Sequence, residues 1–253
     1  MYATERQLEI RAIAREHGRV EVKELADRLG VTPETVRRDL TLLERRGVLR
    51  RVHGGAIAVE RLAIEPAVAD RETRMSEAKQ RIARAALDEL PDGGAIAVDA
   101  GTTTAQLVAL MPADRELTVV THGVHLAIAL AALPGITLHL LGGQLRGRTL
   151  AAVGAWAEQQ LADVHVDVAF VGANGVTVEE GITTPDLAEA RIKRALVRAA
   201  SRTVILADHT KFGLVDFARV TPLADVDTLI TDTGLDAEAA AEIEATGCRV
   251  VRA

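Results

Sequence analysis

Apolar positions in the first fifty residues repeat at helical spacing, and those beyond residue 90 come in short runs of strand length. Leu8, Ala12 and Ile13 recur a turn apart, Thr4 with Gln7 has the form of a capping box, and Gly18 stops this first helix. Val22, Leu25, Ala26 and Leu29 define a second short amphipathic helix ended by Gly30. Thr32 caps a third, with Pro33 in its first turn, where a missing N–H costs nothing. On that helix Val36, Leu40 and Leu43 form one apolar stripe. Glu34, Arg38, Thr41 and Arg45 therefore lie opposite it, with Thr35 and Arg37 on its flanks and Leu42 on neither face. Gly47 closes the helix, and Val48 to His53 followed by Gly54-Gly55 reads as a strand and a glycine turn.

Residues 58–75 contain Pro66, are mixed in charge and show no clean period, which predicts a linker. From Ser76 helix and strand alternate. The strand-like runs are Ala95–Val98, Leu117–Thr121, Thr137–Leu141, Val166–Val171, Thr203–Ala207 and Thr228–Thr231, with a short Arg249–Arg252 at the end. Helical segments of the length a βα crossover needs separate most of them. The expected class is α/β: a helical head over residues 1–57, then a mostly parallel sheet covered by helices on both faces over residues 76–253.

With 48% hydrophobic and 26% charged residues, the chain has the composition of a folded domain rather than a disordered or fibrous one. Its one cysteine, Cys248, excludes a disulfide framework and a multi-thiolate metal site. The charged stretch Met1 to Ile10 does not read as a signal peptide. The longest apolar run, Leu126 to Leu133, falls far short of the ~20 residues of a membrane span. A soluble, cytoplasmic protein with no membrane partner is expected.

The net charge of −6 is unevenly spread. Residues 1–60 hold 12 Lys and Arg against 10 Asp and Glu, and six arginines fall between Arg37 and Arg51 with only two acids among them. A basic stripe on an acidic chain points to a polyanion, although a solvated helix face would carry such charges too. Two helices joined by a Gly-containing turn, the second with exposed arginines and a basic hairpin after it, describe a winged helix-turn-helix. Double-stranded operator DNA is the expected partner. Thr32, Glu34, Thr35, Arg37 and Arg38 would read base edges, while Arg50, Arg51 and His53 would hold phosphates or an adjacent groove. A protein-assembly module would instead present an apolar outer face, which Arg38, Thr41 and Arg45 do not supply.

Ligands of open α/β sheets bind beyond the carboxyl ends of the strands, and three such ends here are polar. Asp99-Ala100-Gly101-Thr102-Thr103-Thr104 joins a strand to a helix, so Gly101 permits a tight turn while the threonines and helix N–H groups offer donors to an anion. A merely structural Thr-capped helix would look the same. In Asp208-His209-Thr210-Lys211 the acid suits a hydroxyl and the lysine a phosphate; a surface ion pair is the plainer alternative. Gly142-Gly143-Gln144-Leu145-Arg146 is a turn or a third anion contact through Arg146. Asp186 and Glu189 open a helix where acids favour the dipole, and Lys193 stands at ion-pair spacing from Glu189. The seven histidines show no metal-binding spacing, there is no nucleophile elbow, and Cys248 has no evident base. Neither a catalytic residue, nor a metal, nor a cofactor is expected.

Val31 to Leu40 with Leu43-Glu44-Arg45-Arg46-Gly47 and the basic stretch to Ala56 resembles the helix-turn-helix and wing of the DeoR-type family of bacterial transcriptional regulators. Asp99 to Thr104, Glu189 to Lys193 and Asp208 to Gly213 are similar to that family's sensor motifs. The resemblance covers almost the whole chain. It implies a non-enzymatic repressor of carbohydrate metabolism, relieved by a phosphorylated sugar or polyol. It also implies a dimer or tetramer assembled through a sensor domain related in fold to ribose-5-phosphate isomerase and CoA transferases. The effector residues it implies are Asp99, Gly101, Thr102, Thr103, Thr104, Arg146, Lys193, Asp208 and Lys211. The chain departs from the family at Thr121-His122-Gly123, where Thr-Asn-Ser is usual. A sugar-phosphate isomerase with a DNA-binding head, using Asp208 as base and Lys211 as electrostatic stabiliser, is the competing reading.

Overall fold

The structure, a computed structural model, describes residues 3–45, 49–52, 54–58 and 67–253. The chain divides into two compact units, Met1–Glu65 and Pro66–Ala253.

In the first unit, α1 (Ala3–His17), β1 (Arg19–Glu21), α2 (Val22–Leu29) and α3 (Pro33–Arg45) precede the hairpin β2 (Leu49–Val52) and β3 (Gly55–Ala58). The strands pair antiparallel in the order β1-β3-β2. Too short to show an alternating pattern, β1 was not expected; the returning hairpin creates it by supplying β3 as its partner. Gly55 permits that approach, because a Cβ there would stand 1.9 Å from the Val20 carbonyl oxygen. Gly30 ends α2 in the left-handed conformation at φ 63°, where glycine bears no Cβ penalty.

The stripe expected on α3 forms the core: Val36, Leu40 and Leu43 pack with Leu25 and Leu29 of α2, Ile10 and Ala14 of α1, and Leu49. On α1 the expected face is corrected. Leu8 is exposed, and so is Ala12. Ile13 is buried as expected, but the inward stripe runs through Gln7, Ile10 and Ala14, at i, i+3 and i+7. The Gln7 side chain turns inward to a buried acid, and the Thr4 side chain of the expected capping box lies outside the described residues.

The second unit opens with two helices, α4 (Val68–Thr73) and α5 (Ser76–Ala86), so part of the stretch read as linker is helical. Next come β4 (Gly94–Val98), α6 (Thr102–Leu110), β5 (Leu117–Thr121), α7 (Val124–Leu130) and β6 (Ile136–Leu140). A hairpin of β7 (Gln144–Arg146) and β8 (Ala151–Val153) leads into α8 (Ala155–Ala162) and β9 (Val166–Gly172). There follow β10 (Gly175–Thr177), β11 (Gly181–Thr184), α9 (Leu187–Ala199), β12 (Ala200–Leu206) and β13 (Ala218–Thr221). The chain finishes with β14 (Thr228–Thr231), α10 (Ala237–Glu244) and β15 (Arg249–Arg252).

Seven strands form one parallel sheet in the order β15-β14-β12-β9-β4-β5-β6. These are the seven runs expected from the sequence, with some ends shifted. Side chains alternate across the sheet: Val168 and Phe170 enter one core with Ile82, Leu107 and Leu126, while Ala169 and Val171 enter the other with Leu161, Ile192 and Leu196. Helices on both faces thus dictate continuous apolar strands. The β7–β8 hairpin and an antiparallel sheet of order β10-β11-β13 were not expected. Each insertion leaves the carboxyl end of a parallel strand. From β4 the chain winds out through β5 and β6, then returns to build β9 on the other side. The reversal of strand order, where open α/β sheets bind ligands, lies between β4 and β9.

Candidate functional site

In the head, Thr32 caps α3: its Oγ accepts from the Thr35 N–H at 3.3 Å and lies 2.9 Å from the Thr35 hydroxyl. Thr32, Glu34, Arg37 and Arg38 are exposed, and Thr35 is half-buried. Arg37 pairs with Glu34 at 3.2 Å, an exposed contact worth little. Arg38 has no ion-pair partner among the described residues, so its guanidinium is free for a polyanion. Arg51 has a structural task as well. Its backbone N–H donates to Glu44 Oε1 (2.8 Å), and its Nη1 donates to the Arg37 carbonyl (3.3 Å) and the Thr41 hydroxyl (3.1 Å), tying the wing to α3. The side chain of Arg50 and residue His53 lie outside the described residues. Sequence reasoning missed Asp39, which is buried and accepts from Arg6 Nε (2.5 Å) and Gln7 Nε2 (2.9 Å). It fastens α1 to the helix carrying the exposed arginines.

In the second unit the turn after β4 meets the end of β9. Asp99, 1% exposed, accepts from the Gly172 N–H (2.9 Å) and the Lys193 ammonium through Oδ2, and its Oδ1 lies 3.0 Å from His122 Nε2. Lys193 also donates to the Gly172 carbonyl at 2.9 Å. Burial works against the Asp99 charge, but Lys193 and His122 outweigh it and hold the carboxyl well below the usual range. Lys193 therefore does not pair with Glu189. Glu189 instead accepts from Arg146, which also reaches Asp186 at 3.3 Å and Thr149 at 3.4 Å. Asp186 caps α9, accepting from the Glu189 N–H at 3.0 Å.

His122 occupies the departing position and completes the same network. Nδ1 donates to the Ala152 carbonyl (3.0 Å), while Nε2 lies 3.1 Å from the Ala100 N–H. The neutral ring accepts from Ala100; the protonated ring donates to Asp99. Thr104 is spent on structure: its hydroxyl donates to the Asp99 carbonyl (2.6 Å) and accepts from the Gly101 N–H (2.9 Å). Thr102 and Thr103 begin α6, whose first-turn N–H groups have no partners within the helix.

The Asp208–Lys211 turn follows β12. Asp208 Oδ1 accepts from the Thr210 N–H (3.1 Å) and hydroxyl. His209 is bound through its N–H and its Nδ1, each at 2.8 Å, to Asp232 at the end of β14. Burial opposes the Asp232 charge, yet the hydrogen bonds from His209 and Gly234 lower its pKa overall. Lys211 is half-buried, and its side chain has no hydrogen bond or ion pair among the described residues.

Lys79 of α5, also missed, is 4% exposed and donates to the carbonyls of Arg71 and Arg74 (2.7 Å to the latter). Burial pulls its pKa down to about 8; Asp208 opposes this, while Lys211, Arg71 and Arg74 add to it. The signal was present in the sequence, because Lys79 sits on the apolar stripe of Ile82, Ala83 and Ala86 where a solvated lysine has no place. Lys79 and Lys211, with the Asp208 carboxylate within electrostatic reach, are groups able to hold an anion. Among the described residues no group of acids, histidines and cysteine is placed to hold a metal, and no helix is long and apolar enough to cross a membrane.

Comparison with known proteins matches residues 6–61 to the DeoR-like helix-turn-helix domain and residues 74–233 to the DeoR C terminal sensor domain. The chain is 40% identical to the HTH-type transcriptional regulator GlpR of Haloferax volcanii, over 91% of this chain and 90% of that protein. It is 30% identical to a putative aga operon transcriptional repressor of Escherichia coli O157:H7, over 98% and 93% of the two chains. Among solved structures it is similar to ribose 5-phosphate isomerase A from Methanocaldococcus jannaschii, at 17% identity and a TM-score of 0.40, over 55% of each chain. A winged head with an exposed basic recognition helix, a sensor built on a parallel sheet, and these two matches along most of its length make the chain a member of the DeoR family of DNA-binding transcriptional regulators.

Proposed function

We propose that the protein represses a carbohydrate-metabolism operon and releases its operator when a phosphorylated sugar or polyol enters the second unit. The observation that carries this reading is Lys79, a buried lysine whose ammonium holds the Arg71 and Arg74 carbonyls and which lies within electrostatic reach of Lys211 and Asp208 in the turn after β12. The phosphate belongs with these lysines and the first-turn N–H groups of α6 at Thr102 and Thr103. Gly101 and Thr104 shape that turn; Asp99 and Lys193 neutralise each other beneath it, and Arg146, met by Glu189 and Asp186, braces its rim. This departs from an assignment of Asp99, Lys193 and Arg146 to direct effector contact. In the head, Thr32, Glu34, Thr35, Arg37 and Arg38 read base edges, and Arg50, Arg51 and His53 hold the backbone or an adjacent groove.

The domain boundaries we favour are a head over 1–57, a connection over 58–75 and a sensor over 76–253, working in the cytoplasm where the operator is. One winged helix covers few base pairs, so a dimer or tetramer through the sensor supplies the remaining affinity. Exposed Trp156, Phe217 and Ile128, between 73% and 78% accessible, support an interface there. Light scattering of the full chain should give a dimer or larger species, and a monomer at micromolar concentration would overturn this. The isomerase alternative finds no support in Asp208, whose Oδ1 is occupied by Thr210.

The central test is an operator titration with and without a set of phosphorylated sugars, for wild type and Lys211→Met. Wild type should lose operator affinity by about 1–3 kcal/mol of coupling with the correct ester, and the variant should bind operator normally but not respond. A variant that responds at the same ester concentration would refute the pocket.

A further inference from the structure

His125 lies in the first turn of α7, one turn beyond His122 at the carboxyl end of β5. Both of its ring nitrogens are shielded from solvent, and neither has a hydrogen-bond partner in the described protein. A buried polar atom left unpaired is costly, and packing alone does not call for an imidazole. The charged and titratable groups near enough to act on the ring are Glu72 and Arg71 of α4, His122 and Asp99. Burial is the largest influence and lowers its pKa, so near neutral pH the ring is uncharged, with one N–H donor and one lone pair. A phosphate asks only for donors. A hydroxyl both gives and accepts, which is what a neutral imidazole offers.

Of the acids at this edge of the sheet, Asp99 is committed to Gly172, Lys193 and His122, and Asp208, which the sequence suggested for a hydroxyl, has its Oδ1 occupied by Thr210. We propose that His125 is the specificity-determining residue that reads a hydroxyl on the effector's carbon chain, as distinct from its phosphate. This rests on the effector reading above.

The test uses the full-length chain and calorimetric titration with inorganic phosphate, glycerol phosphate, ribose phosphate and fructose phosphate. At least one ester should bind wild type more tightly than inorganic phosphate does. His125→Leu should bind that ester about tenfold more weakly while binding inorganic phosphate as wild type does. His125→Gln, which keeps a donor and an acceptor, should recover part of the loss. Without ligand, His125→Leu should melt no lower than wild type, since it removes two unpaired buried atoms. If it does not fold, His125→Gln decides by the same two affinities, with ester binding weakened and phosphate binding unchanged. Equal ester binding by wild type and variant would overturn the inference. So would an equal loss for ester and inorganic phosphate, which would place His125 in support of the anion site alone. If no ester binds wild type better than inorganic phosphate, the effector reading itself falls, and this inference with it.

Discussion

Replacing Lys193 by Met should destabilise the second unit heavily, and the size follows from where the lysine's charge is spent. Its ammonium meets Asp99, a carboxylate 1% exposed whose other partners are one backbone N–H and His122. Methionine nearly preserves volume, so the lost term is electrostatic. Removing one member of a buried pair leaves the other uncompensated, at about 3–5 kcal/mol. For a unit of this size that lowers the melting temperature by roughly 6–20 °C, which scanning calorimetry of the full chain resolves.

The sign with pH is a second check. In wild type the Asp99 pKa is depressed below its unfolded value, so the carboxylate's contribution is complete above the unfolded pKa near 4 and lost as pH falls through the folded one. Without Lys193 burial acts less opposed and raises the Asp99 pKa, so the carboxyl takes up a proton and the deficit of the variant narrows as pH falls. Adding Asp99→Asn to Lys193→Met should restore most of the loss, since it removes the stranded charge. A cost under about 1 kcal/mol, independent of pH and additive in the double variant, would refute a buried pair at the switch point.

Four further outcomes follow from other contacts. Arg38→Ala should cost about 1–3 kcal/mol of operator binding and erode sequence preference, measured by titration against operator and random DNA. Arg51→Ala should weaken both DNAs similarly and also lower the head's melting temperature, since it releases the wing from α3. Asp39→Ala should destabilise the head by about 1–3 kcal/mol, read by urea denaturation, because Gln7 and Arg6 lose a buried acceptor; an unchanged midpoint would remove Asp39 from the account. Raising pH through about 8 should weaken ester binding as the Lys79 ammonium is lost. The same deprotonation makes stability rise between pH 8 and the unfolded value of 10.5, because there the unfolded chain binds the extra proton. A Lys79→Met protein that keeps the pH profile of wild type would disprove that assignment.

Local periodicity determined the three-helix head and the seven parallel strands, because each rests on a repeat readable within one segment: Val36, Leu40 and Leu43 on a helix, Val166 to Val171 in a strand buried on both faces. Cap chemistry likewise placed Thr32, Gly30 and Asp186. The sequence also brought the turns at Asp99, Gly142 and Asp208 to one edge of the sheet, since strand ends in a parallel sheet share an edge. What it could not apportion was partnership. Lys193 stands four residues from Glu189 and yet pairs with Asp99, 94 positions away, because β9 and α9 carry it over the end of β4. Arg146 is neutralised from α9, Gln7 is drawn inward by Asp39, and Lys79 becomes a buried cation capped by backbone carbonyls. Each outcome depends on which groups share the low-dielectric interior, where an unpaired charge or donor is costly, and only the assembled chain decides that. The short strands β1, β7 and β10 were invisible for a related reason: three residues carry no period, and their pairing exists only once a distant partner is in place.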